Sequence, residues 1–179
     1  MPTLFIKPHL LNYPHRNALA RIASTRRTIT KLANNDQVYV HANSKISLSP
    51  IPTAVHIGTL TELTTFNDST FTPNLAFLPL MHSTIKTHLH NDLFFVSVAV
   101  TYGNDFMAVY DQRSPPPFGR IPEVEDMFGL VRVENGVMVP ESYEKNDMYR
   151  LITPDFGVCM FTEFLYNKIR KACEDASRA

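Results

Sequence analysis

Glycine is scarce in this chain, with six residues in 179, and no glycine cluster forms a phosphate cradle, which argues against nucleotide hydrolysis. Cysteine is scarcer still. Cys159 and Cys173 are too few and too far apart for a disulfide scaffold or a metal finger, and neither has a nearby base or basic run that would mark a nucleophile. Long apolar runs are also missing. The longest, Leu93 to Tyr102, is about half of the roughly 20 residues needed to span a bilayer. No charged-then-apolar leader opens the sequence, so the expected setting is cytoplasmic, with no membrane partner. The first 35 residues contain no acid and are rich in Arg, Ser and Thr, which makes mitochondrial import the alternative.

Net charge is absent as well, because Lys+Arg and Asp+Glu both number 17. The molecule as a whole therefore has no field to steer it toward polyanions. The charge is unevenly spread, however. Residues 1–50 hold seven Lys/Arg against the single acid Asp36, whereas residues 104–179 hold thirteen acids against nine bases. Two readings follow: a folded dipole whose ends face each other, or a basic contact surface near the N-terminus.

The length suits one domain, able to bury roughly two thirds of the surface its unfolded chain exposes. Apolar positions at helical spacing from Arg16 to Ala33 predict an amphipathic helix ended by Asn34-Asn35-Asp36, with Arg16, Arg21, Arg27 and Lys31 as its basic, anion-binding residues. Gln37–Ala42 and Lys45–Leu48 alternate as a hairpin, Thr53–Leu60 reads as a further strand, and Asn67–Asn74 reads as a polar loop. Leu78, Met81, Ile85 and Leu89 share a stripe that predicts a helix to His90. Leu93–Tyr102, apolar on both alternating faces, predicts a central strand paired with Phe106–Asp111. A Pro-rich connection spans residues 113–128, where three consecutive prolines lack amide donors. Asn135-Gly136 marks a hairpin between Leu130–Glu134 and Val137–Val139, and Met148–Thr153 pairs with Val158–Phe161 around Pro154-Asp155-Phe156-Gly157. Thr162 caps a last helix with the stripe Phe164, Leu165, Ile169, Ala172, Cys173 and Ala176. The expected fold is α+β, a single domain with a mainly antiparallel sheet and about three helices packed on it.

Within the C-terminal third, Pro115-Pro116-Pro117-Phe118-Gly119-Arg120-Ile121-Pro122, Glu125-Asp126-Met127-Phe128-Gly129, Val133-Glu134-Asn135-Gly136 and Met148-Tyr149-Arg150-Leu151 resemble a block in an uncharacterised protein family of mushroom-forming fungi. The resemblance implies a eukaryotic intracellular source and no particular activity.

Candidate chemistry centres on residues 82–111. If the chain is an enzyme, His82, His88, His90, Asp92 and Asp111 are the catalytic candidates, with histidine as general base or metal ligand and a carboxylate as orienter, in a hydrolase-like reaction. On a strand, His88 and His90 would share a face and bind one divalent metal; on a helix they would separate. Asp155-Phe156-Gly157 is a turn, because the chain lacks the other kinase motifs. Scattered chemistry-bearing residues favour a small interaction or binding module, self-associating as a homodimer or binding a protein or small molecule. A binder of nucleic acid or another anionic partner through the basic N-terminal helix is the remaining alternative.

Overall fold

The computed structural model describes residues 29–117 and 119–178. Five short strands come first, β1 (Thr30–Leu32), β2 (Asn35–Val40), β3 (Lys45–Ser47), β4 (Gly58–Leu60) and β5 (Phe71–Pro73). They form an antiparallel meander in sequence order. Val38 and Val40 alternate inward along β2, and the turn into β3 places Ser44 at φ 61°. Gly58 is required where β4 meets β5: a Cβ there would lie 2.4 Å from the Phe71 ring.

Helix α1 (Phe77–His88) follows and buries Phe77, Met81, Thr84 and Ile85 on one stripe. A tight turn over Leu89–Asn91 leads to α2 (Leu93–Tyr102), then β6 (Asp105–Tyr110). After the Pro-rich connection come β7 (Met127–Glu134), β8 (Val137–Met138) and β9 (Glu144–Lys145), with β7 central among β6, β8 and β9. Asn135 (φ 51°) and Gly136 (φ 76°) make the β7–β8 turn, as Asn-Gly does when both positions need positive φ. The two-residue strands β10 (Ile152–Thr153) and β11 (Gly157–Val158) pair, and α3 (Glu163–Asp175) closes the chain, capped by the Thr162 hydroxyl accepting from Leu165 N.

The fold class is α+β with antiparallel sheets, built on one continuous hydrophobic core. The expected single sheet is instead divided into sheets of five, four and two strands. Residues 157–161 join them. Asn35 Nδ2 donates to the carbonyls of Val158 (3.1 Å) and Cys159 (3.0 Å), Gln37 exchanges two hydrogen bonds with the Phe161 backbone, and Phe161 stacks on Phe128 with ring centroids 5.2 Å apart.

Three expectations need correction. Leu93–Tyr102 is a helix, not a central strand, and β6 pairs with β7. A run apolar on both alternating faces has no clear periodicity to separate the two, and the ends decide: Asp92 caps the first turn by accepting from Phe94 N (2.9 Å), and Gly103 turns the chain out at φ 65°. The predicted helix 16–33 lies outside the described residues up to Thr28, and its last turn is strand β1, with Asn35 beginning β2 rather than ending a helix. The loop 67–74 yields strand β5 at Phe71–Pro73.

Candidate functional site

The five candidate residues of the 82–111 region are sent to separate surroundings. His82 Nδ1 lies 3.0 Å from Tyr143 Oη, which itself donates to the Phe128 carbonyl (3.1 Å). A phenol has one proton, so His82 must be the donor to Tyr143. Burial lowers the His82 pKa to about 4, with Lys145 adding to the effect and Asp147 opposing it. His88 lines an open groove between α1 and α3 with Lys168, Lys171 and Asp175, and burial followed by the Lys168 charge lowers its pKa. His90 is exposed, its Nε2 lying 2.9 Å from the side-chain amide of its neighbour Asn91. Helix geometry separates His88 from His90, and among the described residues no group of three or more His, Cys, Asp or Glu side chains is placed to hold a metal ion.

The two carboxylates are buried for different reasons. Asp92 accepts from Phe94 N and from the Thr162 hydroxyl, linking the starts of α2 and α3. Asp111, fully buried, accepts from Arg113 N (2.9 Å), Met160 N (2.9 Å) and the Tyr149 hydroxyl (2.8 Å). Arg113 Nε stands 3.4 Å from Asp111, while its Nη2 donates to Asp126 (2.9 Å) and the Arg150 carbonyl (2.6 Å), and its Nη1 donates to the Gly157 carbonyl (3.2 Å). Burial raises the Asp111 pKa against the pull of Arg113 and its hydrogen bonds, and raises those of Tyr149 and Cys159 still more clearly. Both oxygens of Asp111 thus face internal donors. Its chemistry is that of a clamp holding the Pro-rich connection and residues 149–160 against β6 and β7.

The open chemistry of the surface lies on α2. Phe95 and Ala99 are buried, with Val98 and Tyr102 half-buried beside them, so one stripe at helical spacing faces the core. The opposite stripe, Leu93, Val96, Ser97 and Val100, repeats at i, i+3, i+4 and i+7 and faces out; Leu93 is 81% exposed and Val100 68%. No charged residue occurs anywhere in α2. Phe94, also exposed, flanks the stripe and packs edge-on against Phe95 and Tyr110. At the N-terminal end of α2, Leu93 and Phe94 join Thr162, Glu163, Phe164 and Asn167 around an open groove of about 400 Å³. At the other end, Gly136 packs on the Val100 backbone, where a Cβ would approach to 3.3 Å, and exposed Val137 follows.

Of the basic residues proposed to contact anions, Arg16, Arg21 and Arg27 lie outside the described residues. Lys31 lies on an exposed position of strand β1, its ammonium 5.6 Å from the Tyr39 ring centre, and does not share a helical face with them. Sequence reasoning missed Arg113, Tyr149 and Thr162 as partners of the two buried carboxylates, and Asp126 as the second acid held by Arg113. The available signal was the flanking context: an Arg two residues after Asp111, beside a proline run that cannot hydrogen-bond for itself. Among the described residues no helix is long and apolar enough to cross a membrane. No family model, curated protein or solved structure matches the chain.

Proposed function

We propose that this protein is an interaction module that docks a macromolecular partner on the outer face of α2. A helix apolar on all sides belongs in a core, because each exposed aliphatic side chain forgoes about 1.5–3 kcal/mol of burial. One observation carries the reading: α2 has two apolar stripes, of which the fold buries only Phe95 and Ala99, leaving Leu93, Val96 and Val100 in solvent. Contiguous exposed apolar surface of this kind marks docking sites. The buried Asp111 supports the same reading, since both its oxygens are engaged by internal donors, and among the described residues the three histidines share no carboxylate.

A photo-crosslinking amino acid at position 96 tests the proposal. Irradiation in an extract of the source cells should give discrete macromolecular adducts, absent when the same residue replaces exposed Glu141 in the turn Pro140–Ser142, outside the α2 stripe. Adducts no more frequent at 96 than at 141 would remove α2 as a docking face.

A further inference from the structure

Resting on the reading of α2 as a docking face, we propose that its occupant is a second copy of this chain, with the two α2 helices antiparallel about a two-fold axis passing between Val96 and Ser97. Three features single out this partner. A two-fold interface brings each residue near the axis against its own kind, which penalises any charge there, and α2 contains none. Ser97, the smallest residue of the stripe, lies at its centre, where the helix backbones would approach most closely. The two ends of the stripe also have opposite shapes. The Leu93 end opens into the groove bounded by Phe94, Phe164 and Thr162, whereas the Val100 end projects beside exposed Val137.

Antiparallel pairing places Val100 of each copy against Leu93 at the mouth of the other copy's groove, so projection meets hollow twice. Parallel pairing would set hollow against hollow and projection against projection. Of the two acids lining the groove, Asp92 is buried and bonded to Phe94 N and the Thr162 hydroxyl, which leaves Glu163 as the exposed one, facing the C-terminal end of the partner helix. Size places the dimer in the weak class. A ten-residue helix is about 15 Å long, and a standard stable interface needs roughly 800 Å² from each copy, so α2, the groove rim and Val137 together make a concentration-dependent contact.

Sedimentation equilibrium of the full chain over a wide concentration range is the first measurement. A monomer–dimer equilibrium is expected, with Val96→Glu raising the dissociation constant at least about tenfold. Val100→Glu serves as the second variant, and unchanged circular dichroism and melting temperature establish that both remain folded. Orientation is read from Leu93→Cys and Val100→Cys single variants. The native thiols Cys159 and Cys173 are buried and stay out of the reaction. In the antiparallel pair an equimolar mixture oxidises to the mixed disulfide in preference to either like pair, because like positions are offset by seven residues, about 10 Å along the axis, beyond the roughly 7 Å limit for a disulfide. A monomer at every concentration, a dimer indifferent to both Glu substitutions, or preferential like-with-like disulfides would each overturn the proposal. A monomer whose position-96 probe still captures a different macromolecule rejects self-association alone and keeps the docking face. Capture of residues 1–28 of the same chain rejects both.

Discussion

The hydroxyl of Thr162, which caps α3, donates to the carboxylate of Asp92, which caps α2. Two helices far apart in sequence thus begin at one hydrogen bond, and Asp92 is almost fully buried there. Asp92→Ala removes a cap, typically about 1 kcal/mol, and takes the charged acceptor from the half-buried Thr162 hydroxyl, a further loss of about 1 kcal/mol. In a double-mutant cycle with Thr162→Val, urea unfolding should show the two losses to be non-additive by about 0.5 kcal/mol or more. Additive losses would mean that the caps act independently.

Arg113 is the cation shared by Asp111 and Asp126, and it also donates to two carbonyls. Arg113→Met leaves two buried carboxylates without their counter-charge, and a loss of about 3–5 kcal/mol is expected. Arg113→Lys should recover little, because an ammonium cannot present the planar fork that reaches both acids and both carbonyls. Tyr149→Phe should cost less, about 1–3 kcal/mol, since Asp111 keeps its two backbone donors. The order of urea midpoints among these variants checks the clamp.

Much of the fold was legible wherever local chemistry forces the chain. Asn135-Gly136, the stripe of Met81, Ile85 and Leu89, and the Thr162 cap each specify a conformation through sterics or a short-range hydrogen bond, and the structure keeps all three. The α2 segment failed because its residues are apolar on every side and rich in valine, so neither period nor propensity discriminates. The information lay in Asp92 as an N-cap. Read as a catalytic acid, Asp92 could not also be read as the start of a helix. The candidate site failed for a related reason: spacing places His82, His88 and His90 in sequence, but partners such as Tyr143, Asn91 and Lys168 come from elsewhere in the fold or from a turn. Asp111 was identified as important, yet its role depends on Arg113, Tyr149 and Met160, whose convergence no local pattern encodes.

Acid should destabilise the protein through its histidines. The ordinary imidazole pKa of 6.5 falls to about 4 for His82 on folding, so between these values the unfolded chain binds more protons and stability declines as pH is lowered. His41, His56 and His88 shift in the same direction, each chiefly through burial. Asp111 has the opposite sign, its raised pKa favouring the folded state as acid is added. Replacing His82 by Phe isolates the first effect. The urea midpoint of the variant should vary less between pH 6.5 and 4.5 than that of the parent; an equal slope would deny His82 a part in acid sensitivity.

His41 provides a test of hydrogen-bond accounting at a site sequence reasoning passed over. Its Nε2 lies 2.8 Å from Ser47 Oγ, while that hydroxyl donates to the Ser49 carbonyl at 2.6 Å. Ser47 has one proton and has already committed it, so His41 must donate from Nε2, leaving Nδ1 as a buried lone pair without a partner among the described residues. Burial lowers the His41 pKa and keeps the ring neutral at pH 7. Long-range proton–nitrogen NMR should therefore show a pyrrole-like Nε2 and a pyridine-like Nδ1. Ser47→Ala removes the only acceptor of Nε2 and should lower stability by about 1–3 kcal/mol, the usual effect of orphaning a buried donor. A protonated Nδ1 in the parent protein would reverse the bond, making Ser47 the donor to His41 and breaking its link to Ser49.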